Sequence, residues 1–77
     1  MIYVYVLKSL KDDSKYVGMS ANPEDRLKDH NRGKVKSTKS KIPWKIIHVE
    51  SFKSRKEARE REKYLKSAAG RRFRKEL

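Results

Sequence analysis

Four side chains in the first half of the chain have the types and spacing for phosphate chemistry. Tyr5 lies in an apolar run, and Tyr16 comes two residues before a glycine. Arg26 and His30 follow on a predicted helix, where residues four apart project from one face. A guanidinium beside phenol and imidazole groups can bind a phosphate and move protons near it. The spacing therefore predicts a phosphate-handling corner.

A second long helix is predicted further along the chain. Ser54 stands three residues before Glu57, which is the capping-box pattern of a helix start. The helix is expected to run to about Ala69, with Gly70 as its stop. Residues on its inward line are Ala58, Glu62, Leu65 and Ala69.

Glu62 is the one acid on that inward line. A carboxylate on an apolar stripe costs free energy unless it is paired. Glu62 therefore either forms an ion pair with a lysine or arginine, or binds a metal ion. The residues alone leave both readings open.

Two strands must hold the tyrosines. Residues 2–7 are β-branched or aromatic without polar alternation, which predicts a strand buried on both faces and central in its sheet. After turn residues 11–14, residues 16–20 return as the second arm of a hairpin, with Tyr16, Gly18 and Ser20 on one face. If Tyr5 shares that face, the two phenols meet beside the gap that Gly18 leaves. Ordinary core packing is the alternative for both tyrosines.

The first helix has strong start and stop signals. Asn22 is the predicted cap, Pro23 suits the first helical position, and Glu24 and Asp25 complement the helix dipole. Gly33 is expected to close the helix in a left-handed conformation.

The segment from Arg32 to Lys45 contains no acid. It is interpreted as a mobile surface loop that orders on a phosphate backbone, with a solvated loop without a partner as the alternative. The predicted nucleic-acid-binding residues are Arg32, Lys34, Lys36, Lys39, Lys41 and Lys45.

A third strand is predicted from Trp44 to Ser51, where Trp44, Ile46 and His48 alternate with the intervening residues. No functional role is assigned to His48. The order of elements predicts an α+β domain, β-β-α-β-α with a short basic helix at the end around Phe73. A three-stranded antiparallel sheet flanked by helices is the expected fold, in a single domain of residues 1–77.

Composition points to a polyanionic partner. The 77 residues carry a formal net charge of +12 and no cysteine, which excludes disulfides and thiolate metal sites. The charge favours nucleic acid over a membrane surface, because no helix combines a basic face with a bulky apolar one. No signal peptide or membrane span is recognisable, so the expected location is the cytoplasm.

The motifs resemble those of the GIY-YIG nuclease superfamily, in particular its small stand-alone bacterial members. Tyr3-Val4-Tyr5 and Tyr16-Val17-Gly18 stand at its two sequence motifs, and Arg26, His30 and Glu62 follow in the family's order. Tyr3 replaces the glycine of the first motif, and the chain has no asparagine beyond Asn31, whereas longer relatives carry one after the metal glutamate.

The resemblance implies metal-dependent hydrolysis of phosphodiesters. Glu62 would hold one divalent cation, Mg²⁺ or Mn²⁺, and Arg26 would bind the scissile phosphate. Tyr5 would orient or deprotonate the attacking water, assisted by Tyr16 and His30, and the surrounding positive charge together with a nearby metal would favour the phenolate.

Three functions follow as hypotheses. The first is a DNA endonuclease of low specificity in repair or recombination, with RNA as a further candidate substrate. The second is a nucleic-acid-binding module with weak or lost catalysis. The third is a basic structural protein in which Glu62 forms a salt bridge.

Overall fold

The computed structural model describes residues 1–77 as one antiparallel sheet flanked by helices. The strands are β1 (Ile2–Ser9), β2 (Lys15–Ser20) and β3 (Trp44–Phe52), and the helices are α1 (Pro23–Asn31), α2 (Arg55–Lys66) and α3 (Ala68–Lys75). The strand order is β2-β1-β3, so β1 is central. The predicted α+β class and its three-stranded antiparallel sheet are confirmed. None of the helices is both long and apolar enough to cross a membrane.

The central strand contributes to a separate core on each face of the sheet. Because side chains alternate along a strand, consecutive residues of β1 enter different layers. One layer is formed by Val4, Val6, Val17, Ala58 and Leu65. The other layer is formed by Tyr5, Leu7 and Trp44, with Leu27 of α1 against it. The tyrosine that could do chemistry is thus fixed inside a core.

A bulge in β3 changes which way its residues face. Val6 is opposite His48 and Leu7 is opposite Ile46, so Ile47 is an extra residue in the ladder. Ile46 packs with the Tyr5 layer, whereas His48 packs edge-to-face on Phe73 of α3. The predicted alternation, which placed His48 on the face of Ile46, is therefore wrong beyond the bulge.

The predicted helix from Ser54 to Ala69 divides into two. Its capping box is confirmed, since Ser54 Oγ accepts from the Glu57 amide at 3.2 Å. Helix α2 ends at Lys66, Ser67 caps α3, and Ala69 is exposed rather than inward. Gly70 is buried inside α3, where a β-carbon would lie 2.6 Å from Leu65 Cα, so it permits the close approach of two helices. The prediction of Gly70 as a helix stop was wrong.

The basic segment after α1 has more structure than the predicted open loop. Thr38 is buried and accepts a 3.0 Å hydrogen bond from the Trp44 indole through its backbone carbonyl. A 3-10 turn follows at Lys39–Lys41. Ser9 Oγ donates to the carbonyl of Lys41 at 2.7 Å, which ties this turn to the end of β1.

Candidate active site

Tyr5 in β1 lies directly opposite Gly18 in β2. The two residues are direct partners in the ladder, and Tyr5 is 1% exposed. A β-carbon at Gly18 would meet the phenol ring, with Tyr5 Cε2 at 2.9 Å. The glycine therefore makes room for the Tyr5 ring, while the predicted meeting of the Tyr5 and Tyr16 phenols beside this gap stays a prediction.

Replacing Gly18 by alanine is expected to destabilise the fold, because the added methyl group collides with the Tyr5 ring. Overpacking of this kind costs about 1–3 kcal/mol, although alanine ordinarily suits a strand better than glycine. Thermal unfolding measures the effect. In the Tyr5→Leu background the ring is absent, so the same substitution is expected to cost much less. An equal loss in both backgrounds would show that the collision is not the cause.

Helix α1 presents His30 to Tyr5. His30 is fully buried, and its Nε2 lies 3.0 Å from Tyr5 Oη. The helix starts as predicted, since Asn22 Oδ1 accepts from the Asp25 amide at 3.2 Å. As predicted, Gly33 follows the end of the helix in a left-handed conformation, with a φ of +78°. These two caps fix the length of α1 and hence the place of His30 on it.

The last residue of α1 joins the helix to the sheet. Asn31 Oδ1 accepts from the Trp44 amide at 2.7 Å, and Asn31 Nδ2 donates to the Trp44 carbonyl at 3.1 Å. The side-chain amide thus pairs with β3 as a neighbouring strand would, which holds the adjacent His30 over the sheet. Sequence analysis gave Asn31 no such role.

Tyr16 borders the site from β2. Its ring meets the His30 ring edge-to-face, with centroids 5.0 Å apart, and the Trp44 ring at 6.3 Å. The Lys66 ammonium lies 5.8 Å from the Tyr16 ring centroid, within reach of a cation–π interaction. Tyr16 is therefore a half-buried wall of the site.

The protein's own groups hold Tyr5 as a neutral phenol. Burial first, and then the neighbouring Tyr16, raise the pKa of Tyr5 to about 12, while the Arg26 guanidinium opposes the rise and the Glu62 carboxylate adds to it. Burial outweighs the charge of Arg26, so the protein's own positive groups do not by themselves favour the phenolate, and the expected effect of a nearby metal stays a prediction. These charge effects also show that Arg26 and Glu62 both lie near Tyr5.

His30 is likewise held neutral. Burial, reinforced by the Arg26 charge, lowers the pKa of His30, and Asp29 acts in the opposite direction. A neutral imidazole has one nitrogen that donates and one that accepts. One ring nitrogen of His30 can therefore accept a hydrogen bond while the other donates one.

Arg26 is half-buried and is free to take a phosphate. Its side chain is 42% exposed. Its Nη1 lies 3.6 Å from Oδ2 of Asp29, which is three residues later on α1. An exposed pair of this kind contributes little, about 0–1 kcal/mol. A phosphate can therefore compete with the Asp29 carboxylate for the guanidinium.

Glu62 is paired, but loosely. Its side chain is 21% exposed, and Oε2 lies 3.5 Å from the ammonium of Lys66 one turn later on α2. No group of three or more acidic or histidine side chains surrounds it. A single carboxylate with one oxygen outside the pair suits Mg²⁺ or Mn²⁺, because Mg²⁺ keeps several waters and binds substrate phosphate as well. The ammonium of Lys66 therefore competes with a cation at Oε2 but leaves the other carboxylate oxygen open to one.

The predicted nucleic-acid-binding residues differ in their surroundings. Lys34 lies 3.9 Å from Asp29, and Lys41 donates to Ser14 at 3.1 Å and approaches Asp12 at 3.8 Å. The exposed members without an ion pair are Arg32, Lys36, Lys39 and Lys45.

Two further residues, Thr38 and Lys66, contact the predicted site residues and were not among them. Thr38 Oγ1 lies 2.8 Å from His30 Nδ1, and no pattern in the basic loop distinguished this threonine. Lys66 could have been found, because it follows Glu62 by four residues on a predicted helix.

A separate charged cluster lies away from Tyr5. Arg61 donates to both oxygens of Glu50, at 2.8 and 3.0 Å, and its guanidinium stacks 5.2 Å from the Phe73 ring centroid. This network joins β3, α2 and α3, and the Arg61 and His48 hydrogen bonds lower the pKa of Glu50 against the opposing effect of burial. These contacts hold the three elements together.

The protein is thus a small α+β domain with these side chains around one buried tyrosine. Comparison with known protein families identifies the same class. A model described as the GIY-YIG catalytic domain matches residues 1–76. The chain therefore belongs to the GIY-YIG family, and this membership points to a nuclease.

Relatives in other organisms are proteins named UPF0213. The chain is 45% identical over 67 residues to one from Clostridium perfringens, covering 86% of this chain and 71% of that protein. It is 45% identical over 65 residues to one from Bacillus licheniformis, covering 83% and 66%. For the Staphylococcus haemolyticus protein the identity is 42% over 66 residues, covering 84% and 79%. No solved structure gives a significant match.

Proposed function

We propose that the protein is a divalent-metal-dependent endonuclease that hydrolyses DNA phosphodiester bonds and acts in DNA repair or recombination in the cytoplasm. The observation that carries this proposal is the 3.0 Å contact of Tyr5 with His30 inside a GIY-YIG domain. The charges of Arg26 and Glu62 act on the same phenol, which supports a site that combines phosphate binding, metal binding and proton transfer.

In this proposal the side chains have separate tasks. Arg26 binds the scissile phosphate and stabilises the charge that develops on it. Tyr5 Oη orients the attacking water and takes its proton, while the phenol's own proton moves to His30 Nε2. The water oxygen bonds to phosphorus, the phosphorus–oxygen bond to the leaving alcohol breaks, and solvent protonates that oxygen.

Glu62 is the residue that would hold the divalent cation, Mg²⁺ or Mn²⁺. When bound, such an ion supplies charge stabilisation on the phosphate oxygens. In this proposal Arg26 and the exposed basic residues orient the substrate.

The deciding experiment is a nicking assay on supercoiled plasmid, with Mg²⁺ or Mn²⁺ and with chelator. Cleavage that requires the cation supports the proposal. DNA binding without cleavage under either cation would instead support a nucleic-acid-binding module with weak or lost catalysis. One observation favours that alternative, namely the Lys66 ammonium 3.5 Å from the proposed metal ligand. The same assay with RNA decides whether the substrate includes RNA.

Replacing Lys66 by glutamine is expected to tighten divalent-cation binding, because the ammonium and the cation compete for Glu62. Exposed pairs contribute about 0.2–1 kcal/mol, so the expected gain in Mn²⁺ affinity is about 1.5- to 5-fold. Mn²⁺ binding without DNA measures it. The matched control is Lys63→Gln, an exposed lysine of the same helix. An equal gain in the control would assign the effect to net charge alone.

Replacing Arg32, Lys36 and Lys45 together by glutamine is expected to reduce the salt dependence of DNA binding. Each lost phosphate contact lowers the slope of log affinity against log salt by about 0.9 for duplex DNA. Binding measured at several salt concentrations gives the slope.

The control for this triple variant removes three charges elsewhere. The three control residues, which are exposed, follow the end of β3 that pairs with Ile2; they are Lys53, Arg55 and Lys56. The basic segment from Arg32 to Lys45 lies at the other end of β3, which pairs with Ser9. Their replacement by glutamine is expected to leave the slope nearly unchanged. A larger fall in this control than in the loop variant would remove the loop from the interface.

A further inference from the structure

Thr38 is a buried polar residue whose hydroxyl contacts one member of the proposed proton-transfer pair. It is 1% exposed, and its Oγ1 lies 2.8 Å from His30 Nδ1. The same hydroxyl donates to the carbonyl of Val35 at 3.3 Å. The Trp44 indole donates to the backbone carbonyl of Thr38 at 3.0 Å, so the residue is fixed from both sides.

The contacts form one chain from Tyr5 through His30 and Thr38 to Val35. Its last member is a backbone carbonyl, which can only accept. The Val35 carbonyl also accepts from the Thr38 amide at 3.1 Å. When the Thr38 hydroxyl donates to it as well, the hydroxyl oxygen is left to accept from His30 Nδ1–H. His30 Nε2 then carries no proton, and the Tyr5 hydroxyl 3.0 Å away must donate to it.

The opposite polarity leaves one contact without a hydrogen. If Thr38 donated to His30 Nδ1, its oxygen and the Val35 carbonyl would face each other as two acceptors. His30 would then carry its proton on Nε2 and point it at Tyr5 Oη. In that arrangement the imidazole could not receive the phenol proton.

We propose that Thr38 is a positioning residue that fixes His30 as the Nδ1–H tautomer, so that Nε2 is the acceptor for the Tyr5 proton. The catalytic consequence rests on the proposed function, whereas the tautomer does not. In this proposal Thr38 acts through His30. The lowered pKa of His30 is consistent with the neutral ring that this arrangement needs.

The tautomer is read directly from the ring nitrogens of ¹⁵N-labelled protein by NMR. We expect the wild-type protein to carry the His30 proton on Nδ1. Thr38→Val keeps the side-chain shape but removes the hydroxyl, so His30 is expected to shift toward the Nε2–H tautomer. Thr38→Ser keeps the hydroxyl and is expected to preserve Nδ1–H. His48 is an internal control, because its Nε2 bonds Glu50 at 2.7 Å, in a separate network.

Turnover at saturating DNA gives a second measurement. Thr38→Val is expected to lower kcat by about 10- to 100-fold without a matching change in DNA affinity, and Thr38→Ser is expected to restore most of it. A merely space-filling role predicts no tautomer change, since valine fills the same volume.

Several results would overturn the proposal. They are a wild-type His30 proton on Nε2, an unchanged tautomer in Thr38→Val, or a switched tautomer with unchanged kcat. If Thr38→Val does not fold, the wild-type and Thr38→Ser spectra decide, since Nε2–H in either contradicts the assignment. An Nδ1–H tautomer in a protein that does not cleave DNA would overturn the proposed function while supporting the hydrogen-bond assignment.

Discussion

Replacing Glu62 by glutamine is expected to reduce metal-dependent nicking by about 10³-fold or more, since a catalytic cation supplies several kcal/mol of charge stabilisation. Glutamine keeps the size of the side chain but removes the charge that a hard cation requires. DNA binding is expected to stay close to wild type, because the lost group is an acid and the surface carries a net charge of +12. Plasmid nicking and DNA binding, measured on the same preparations, check both parts.

Two controls make the Glu62 result specific. Glu60→Gln removes an exposed acid from the same helix and is expected to cleave like wild type. Mn²⁺ binding without DNA should fall in the Glu62 variant and not in the Glu60 variant. Cleavage by Glu62→Gln at the wild-type rate would contradict the metal role and leave Glu62 as the partner of Lys66 alone.

Replacing Arg26 by alanine is expected to lower kcat by about 10³-fold, at the lower end of what an arginine contributes to phosphoryl transfer. The reason is the position of the guanidinium, which lies near enough to Tyr5 to oppose the rise in its pKa. DNA affinity is expected to fall less than about 5-fold, because one exposed charge contact contributes about 0.2–1 kcal/mol. Single-turnover cleavage and equilibrium binding separate the two effects.

The matched variants for Arg26 test charge and position separately. Arg26→Lys keeps the charge but loses the planar fork, so cleavage is expected to stay well below wild type. Lys28→Ala removes an exposed charge two residues along the same helix and is expected to leave kcat unchanged. If cleavage and binding fall in parallel in Arg26→Ala, Arg26 anchors DNA and has no separate effect on the reaction.

Local sequence signals predicted most of the elements correctly. Asn22 and Gly33 delimited α1 because capping depends on a few neighbouring residues. The unbroken apolar run of β1 predicted the central strand, since only a strand covered on both faces lacks polar alternation. The spacing of Arg26 and His30 placed them on one helix face for the same local reason.

The errors arose where contacts distant in sequence decide the outcome. Gly70 looks like a helix stop in isolation, but its missing side chain serves the packing of α3 against Leu65. The bulge at Ile47 turns His48 away from the Tyr5 layer, and no residue type in β3 signals it. Burial, which depends on the whole fold, set the pKa of Tyr5 opposite to the direction that nearby positive charge suggested.

The sequence by itself determined the fold class, the caps of α1, the family and the order of Tyr5, Tyr16, Arg26, His30 and Glu62, because these depend on local propensity and spacing. Only the tertiary structure decided which atoms meet. It brought Thr38 to His30 and Lys66 to the ring of Tyr16, and it placed Tyr5 across Gly18. Hydrogen-bond polarity and proton affinity depend on distances of a few ångströms between separate segments, and packing sets those distances.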